Sequence, residues 1–155
     1  LALAAGFLPV AAAEPPRILD FELASLAGSF ERLSALPAKP TLVNFWHSEC
    51  PPCRKELPVI AAFAAKHSEL RVVTVAVQPR RETERDADLL PPGGLHLIAP
   101  VDPMGLLARF GDPKGMLPYS IVLDAERRPC AAHAGEIDAA WLEAAVNRCR
   151  PSDAR

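Results

Sequence analysis

Apolar and polar positions along the chain follow two periods in turn, and each change of period marks an element. Phe21-Glu22-Leu23 and Ser29-Phe30-Glu31-Arg32-Leu33 alternate apolar and polar side chains on either side of Gly28, the pattern of a half-buried β-hairpin. Thr41-Leu42-Val43-Asn44-Phe45-Trp46 is nearly continuous in apolar residues, which predicts a strand covered on both faces. From Pro52 to about Lys66 the period becomes helical: Leu57, Ile60, Ala61 and Ala64 recur on one face, with Cys53 in line one turn earlier. Leu70 to Val77 is a second, Val-rich strand. Strand, helix and strand in succession predict a βαβ unit with its strands parallel.

The second half repeats the alternation in shorter pieces. Gln78 to Leu90 is charged and predicts a short exposed helix, stopped by Pro91-Pro92-Gly93-Gly94. His96 to Val101 is a short strand, and Pro103 to Phe110 a short helix with Met104, Leu107 and Ala108 as its expected inner face. After a loop from Gly111 to Leu117, Tyr119 to Leu123 and Pro129 to Ala134 form an antiparallel pair around the turn Asp124-Ala125-Glu126-Arg127. Asp138 is the expected N-cap of a last helix whose inner face is Leu142, Ala145, Val146 and Cys149. These elements predict one α/β domain over residues 17–150, a central mixed sheet flanked by helices with an N-terminal hairpin extension, followed by a tail at 151–155.

A chain of 155 residues, half of them apolar, supports one core without help from disulfides. The net charge of −2, with no basic block, excludes a nucleic-acid partner. Residues 1–13 are uncharged and end in Ala11-x-Ala13 before Glu14; they are expected to be the remnant of a signal peptide cut after Ala13, or of a membrane anchor. Either reading places the folded part in the periplasm or another extracytoplasmic compartment, soluble or N-terminally anchored. Four cysteines suit that location.

Cys50-Pro51-Pro52-Cys53 stands at the junction of the central strand and its helix. Backbone N–H groups and the positive end of a helix favour thiolate over thiol. Cys50, at the exposed end, is therefore the expected attacking thiolate, and Cys53, one turn in, the thiol that resolves the mixed disulfide. Half a zinc site has the same spacing, but no second pair follows and His47, His67, His96 and His133 are scattered, so neither metal nor cofactor is expected. Glu49 stands directly before Cys50, and its charge opposes the lowering of the thiol pKa, which favours a reductase; the alternative is a solvated side chain with little effect. Glu56, three residues after Cys53, falls at the edge of the buried stripe, where a half-buried carboxyl exchanges protons with a thiol near neutral pH. Its alternative is a surface glutamate beside Arg54 and Lys55. Pro58 is expected to kink the helix. Trp46 is expected either beside the site or simply in the core. Cys130 and Cys149 are a second disulfide, contributing on the order of 3 kcal/mol, two buried thiols, or a pair with a resolving or relay role.

Asn44-Phe45-Trp46, Cys50-Pro51-Pro52-Cys53, Lys55-Glu56-Leu57-Pro58 and Gly115-Met116-Leu117-Pro118-Tyr119-Ser120-Ile121-Val122-Leu123-Asp124 together resemble the thioredoxin-like proteins of the TlpA/ResA/DsbE type. These are extracytoplasmic thiol–disulfide oxidoreductases, many of them reductases serving cytochrome c maturation. The resemblance runs from about Ile18 to the end of the last helix. It implies a thioredoxin fold with a central βα insertion, Glu56 as an active-site acid, and Pro118 as a cis proline against the cysteine pair. A cis X-Pro turn leaves the preceding backbone free to pair with a substrate strand. The implied partners are protein disulfide substrates and an upstream electron-donor thiol protein bound to the membrane. Two departures stand out: Asn44 where thioredoxins carry a buried aspartate, which shifts proton handling to Glu56, and Glu49 where many relatives have tryptophan. The expected function is reduction of protein disulfides through Cys50, Cys53, Glu56 and Pro118. The alternatives are a thiol peroxidase, which lacks a local Thr or Arg beside Cys50, a Cu(I) metallochaperone using the same two thiolates, and a non-catalytic binding module, against which the intact pair argues.

Overall fold

A computed structural model describes residues 17–150. The expected leader at 1–13 and the tail at 151–155 lie outside the described residues. Seven strands form one mixed sheet in the order β2-β1-β5-β4-β3-β6-β7. At its centre, β3 (Thr41–Trp46) runs parallel to β4 (Arg71–Ala76) and antiparallel to β6 (Tyr119–Leu123), which pairs in turn with β7 (Pro129–Ala134). On the other side β5 (Leu95–Ile98) lies parallel to β4. The hairpin of β1 (Glu22–Ser25) and β2 (Phe30–Arg32) extends the sheet beyond β5 through the antiparallel pairs Ala24↔Ile98 and Ser25↔Leu97. Gly28 in its turn has φ 95°, a conformation L side chains resist.

Every residue of β3 is buried, because both faces of the sheet are covered. Leu42 and Trp46 join the core formed with α1 (Pro51–Lys66) and α4 (Ala139–Cys149), which contains Cys53, Leu57, Ile60, Leu142 and Val146. Val43 and Phe45 point the other way, into a core completed by α3 (Met104–Phe110). The short helix α2 (Arg80–Arg85) and a 3-10 turn at Ala87–Leu89 lead from β4 into β5. Among the described residues no helix is long and apolar enough to cross a membrane.

The inner face of α3 differs from expectation. Leu106, Leu107 and Phe110 are buried, while Met104 is 43% exposed and Ala108 faces out. The helix has only seven residues, and the Phe110 ring, 5.6 Å from Phe45 and 6.1 Å from Phe21, sets its rotation. The last helix starts as expected, with Asp138 Oδ1 accepting the Trp141 N–H at 2.8 Å. Asp138→Ala is expected to cost about 1 kcal/mol in urea unfolding; an unchanged midpoint would show that this cap contributes nothing.

Cys130 and Cys149 are joined in a disulfide with a Cα–Cα distance of 5.2 Å. A β-bulge makes the bridge possible. Val122 pairs with Ala131 and Leu123 with Pro129, so Cys130 is an extra residue in β7. Cys130 and Ala131 consequently both pack toward the α1/α4 core, where strict alternation would have turned one of them away.

Candidate active site

The parallel strands β3, β4 and β5 all end at one edge of the sheet, and β6 begins there, since Phe45 pairs with Tyr119 and Ala76 with Ile98. The cysteine pair leaves β3 at this edge. Cys50 is the N-cap of α1, with extended backbone (φ −107°, ψ 102°). Pro51 and Pro52 remove the first two N–H groups of the helix, so the first one available belongs to Cys53, and it donates to Cys50 Sγ at 3.3 Å. Cys50 is partly exposed, Cys53 is fully buried, and the two form a disulfide. The accessibility difference expected from helix position is present.

The turn before Cys50 is held from outside α1. Ser48 donates both its N–H and its hydroxyl to Gln78 Oε1, at 2.7 and 2.8 Å, and Gln78 Nε2 donates to Thr83 Oγ1 at 3.2 Å. Within the turn, the Cys50 N–H reaches the His47 carbonyl at 3.2 Å and the Glu49 N–H reaches His47 Nδ1 at 3.0 Å. Gln78 is buried although it opens a charged stretch. Its position directly after a buried strand was the one available sequence signal. Glu49 is exposed. Trp46 is fully buried in the same core as Cys53, so it lies both near the site and in the core. Helix α1 continues through Pro58, which is exposed.

Glu56 is deeper than the edge position expected for it: the residue is fully buried, which excludes a surface glutamate. Helical spacing places it one turn from Cys53 on the same face. What the spacing leaves out is the cover on its other sides. Asn44 from β3 donates Nδ2–H to Oε1 at 2.6 Å, and the Ile137 N–H, just before α4, donates to Oε2 at 2.9 Å. The Asn44 amide also donates to Ser120 Oγ at 3.0 Å, while Asn44 Oδ1 has no partner. Burial pushes the Glu56 carboxyl up from 4.5 to about 7; the Ile137 and Asn44 hydrogen bonds pull it down, and the charge of Glu136 adds to the rise. A carboxyl poised there both takes and returns a proton at neutral pH. Sequence reasoning places Asn44 in the central strand and marks it as a departure from thioredoxin, and gives Ser120 no role of its own.

Pro118 completes the edge. The Leu117–Pro118 bond is cis, and Pro118 immediately precedes the Tyr119 that pairs with Phe45, beside the end of β3. The Pro118 carbonyl accepts the Gly135 N–H at 2.8 Å. Among the described residues no backbone hydrogen bond reaches Leu117. Cys50, Cys53 and Glu56 at the start of α1 and Pro118 before β6 thus come from two separate parts of the chain to one end of the sheet. Among the described residues no three His, Cys, Asp or Glu side chains gather as a metal site.

Residues 16–133 match the model of the AhpC/TSA family, about three quarters of the chain. The chain belongs to the AhpC/TSA family. Within this family's thioredoxin-like fold it is similar to the thiol–disulfide oxidoreductase ResA of Bacillus thuringiensis, at 25% identity over 133 residues, covering 85% of this chain and 76% of ResA. It is 33% identical over 67 residues to the thioredoxin-like protein YneN of Bacillus subtilis, covering 43% of this chain and 39% of YneN. The match therefore spans about two fifths of YneN's length. The exposed lipoprotein thioredoxin of Streptococcus pneumoniae has the same fold, with a TM-score of 0.69 at 24% identity over 83% of this chain and 99% of that one. This AhpC/TSA chain carries its Cys-x-x-Cys pair as a disulfide at the start of α1.

Proposed function

We propose that the protein is an extracytoplasmic thiol–disulfide oxidoreductase that reduces protein disulfides through Cys50 and Cys53. The observation that carries this reading is the arrangement of a partly exposed sulfur at the helix N-cap, a buried sulfur one turn in, and a buried carboxyl held near neutrality. In the reduced state Cys50 thiolate attacks a substrate disulfide; one substrate sulfur leaves as thiolate, and a mixed disulfide forms. Cys53 gives its proton to Glu56 and attacks Cys50 Sγ, which expels the second substrate sulfur. Two electrons pass to the substrate, and the pair ends as a disulfide. An upstream thiol protein restores the dithiol by the same exchange in reverse.

The unpaired Leu117 backbone before Pro118 suits an extended substrate segment, which would add its own hydrogen bonds there. A disulfide at Cys130–Cys149 fits an oxidising compartment, as does the similarity to an exposed lipoprotein. A membrane-bound electron donor and a substrate in cytochrome c maturation complete the proposal; ResA-type resemblance supports them. The peroxidase reading lacks a cation at Cys50, since Arg54 is engaged with the Ser48 carbonyl at 3.4 Å and Asp86 at 3.3 Å.

The reading is tested by mixing the reduced protein with insulin. One substrate disulfide should open for each Cys50–Cys53 pair that closes. Failure to exchange with protein disulfides, together with turnover of peroxide or tight binding of Cu(I), would replace it with one of the alternatives.

A further inference from the structure

The second disulfide lies at the opposite pole of the sheet from the first. Cys130 sits beside the Leu123 end of β6, whereas the Cys50–Cys53 pair lies near the Tyr119 end. An open cleft of about 630 Å³ exposes this pole, lined by both cysteines with Pro40, Asp124, Arg128, Arg148 and Arg150. Arg128 bonds to Asp124 at 2.7 Å and to Glu126 at 3.0 Å. Arg148 has no ion-pair partner among the described residues, which leaves a cation in the cleft to favour thiolate. Cys130 is partly exposed and Cys149 buried, the same asymmetry as in the first pair. Disulfides bordering solvent are the ones that exchange, whereas those sealed in a core resist reduction.

Helix α4 connects this bridge to the first site. Its last residue is Cys149, and the Ile137 N–H just ahead of its Asp138 cap holds Glu56 Oε2. The helix is thus tied at both ends, by a covalent bond at one pole and by the active-site carboxyl at the other. Between those ends Leu142, Ala145 and Val146 pack into the core with Leu57 and Ile60 of α1, so the helix joins its two poles as one packed body.

We propose that Cys130–Cys149 is a second exchangeable redox site, opened by a small-molecule thiol entering this cleft, and that its opening loosens the hold of Ile137 on Glu56. The entering thiolate bonds to Cys130 Sγ, the bond to Cys149 breaks, and Cys149 takes up a proton. A second thiolate then attacks the sulfur of the bound small molecule, the bond to Cys130 Sγ breaks and Cys130 takes up a proton, leaving two protein thiols and one small-molecule disulfide; two electrons move into the protein. The groups facing Glu56 during this change are Asn44 from β3, Ser120 behind it from β6, Cys53 on its own helix, and the Ile137 N–H with the charge of Glu136 before α4. Of these, only Ile137 and Glu136 lie in the segment leading into α4.

Exchange at the second site stands by itself, whereas the meaning of its effect on Glu56 rests on the oxidoreductase reading. Two measurements separate them. In a Cys50→Ser, Cys53→Ser protein, which retains only the second pair, reduced glutathione followed by alkylation and mass measurement should show two alkyl groups added to folded protein. Alkylation only in denaturant would reduce the bridge to a static staple and overturn the proposal. In the unsubstituted protein, hydrogen exchange at the Ile137 amide, followed across a series of glutathione ratios, should quicken at least about tenfold as the second pair opens. Cys130→Ser with Cys149→Ser should show the same quickening with the first pair still oxidised, and its Glu56 carboxyl should titrate higher by carbon NMR. Unchanged Ile137 exchange on opening of the second pair would overturn the coupling. Insulin reduction, measured alongside, reports on the oxidoreductase reading independently.

Discussion

Cys50→Ser is expected to lower disulfide reduction by about a thousandfold or more, because it removes the atom that forms the first bond to substrate. Cys53→Ser should behave differently. It leaves Cys50 at the helix N-cap, accessible and able to attack, but without the buried sulfur that releases the product. The first half-reaction then proceeds and the second stops, so a mixed disulfide through Cys50 accumulates. Equal reactivity of the two single variants toward a disulfide probe would show that burial does not assign the roles. The trapped species also serves as bait: expressed in its native compartment, the Cys53→Ser protein should capture the physiological partner. Recovery of apocytochrome c or one of its maturation factors would support the cytochrome proposal, and capture confined to unrelated secreted proteins would refute it.

Glu56→Gln should produce the second large effect, on stability and on rate together. The carboxyl releases its proton near 4.5 in the unfolded chain and near 7 in the folded one. Between those values the folded state binds more protons, so its stability falls as pH rises through the window and levels off above it. The whole loss attributable to this group is about 3 kcal/mol. Glutamine does not ionise, so the difference in unfolding free energy between the two proteins should grow from pH 4 to pH 8 and then stay constant. Asn44 can adapt to the change by turning its amide, since its Oδ1 has no partner and would accept from the new Nε2–H. In the reduced enzyme the same substitution removes the group proposed to accept the Cys53 proton. The resolving step should slow by about a hundredfold at pH 7 and lose its inflection near that pH. A stability difference that is flat with pH would show that the folded Glu56 carboxyl releases its proton where the unfolded one does.

Glu56 also marks the limit of what its own helix reveals. Spacing from Cys53 placed it on the inner face, but a heptad-scale pattern describes one element and its stripe. The depth of the residue depends on β3 below it and the start of α4 beside it, 81 positions away in the case of Ile137. Ser120 was hidden for the same reason: a serine within an apolar strand reads as a neutral choice until the strand next to it carries Asn44. Gln78 was obscured by its charged neighbours. The rotation of α3 escaped because seven residues give too few turns for a periodicity to define a face, and the decision passed to the packing of Phe110. The bulge at Cys130 left no local trace either, although the bridge it enables is one of the three readings the sequence offers for that cysteine pair.

Local chemistry was enough for the rest. Burial on both faces wrote itself into β3 as an unbroken apolar run; the alternation of strands and helices gave the parallel βαβ unit; Asp138 announced its helix; and the Cys-x-x-Cys pair at a strand-to-helix junction determined which sulfur is reachable, because a helix start exposes its first residue and buries the one a turn later. These are properties of consecutive residues. The tertiary structure alone decided how the pair is served: a carboxyl brought to near-neutral proton affinity by burial against two hydrogen bonds, a turn pinned by Gln78, and a cis proline brought to the same edge by strand pairing. Proton affinity and orientation depend on desolvation and on donors from distant segments, and those distances exist only once the sheet has assembled.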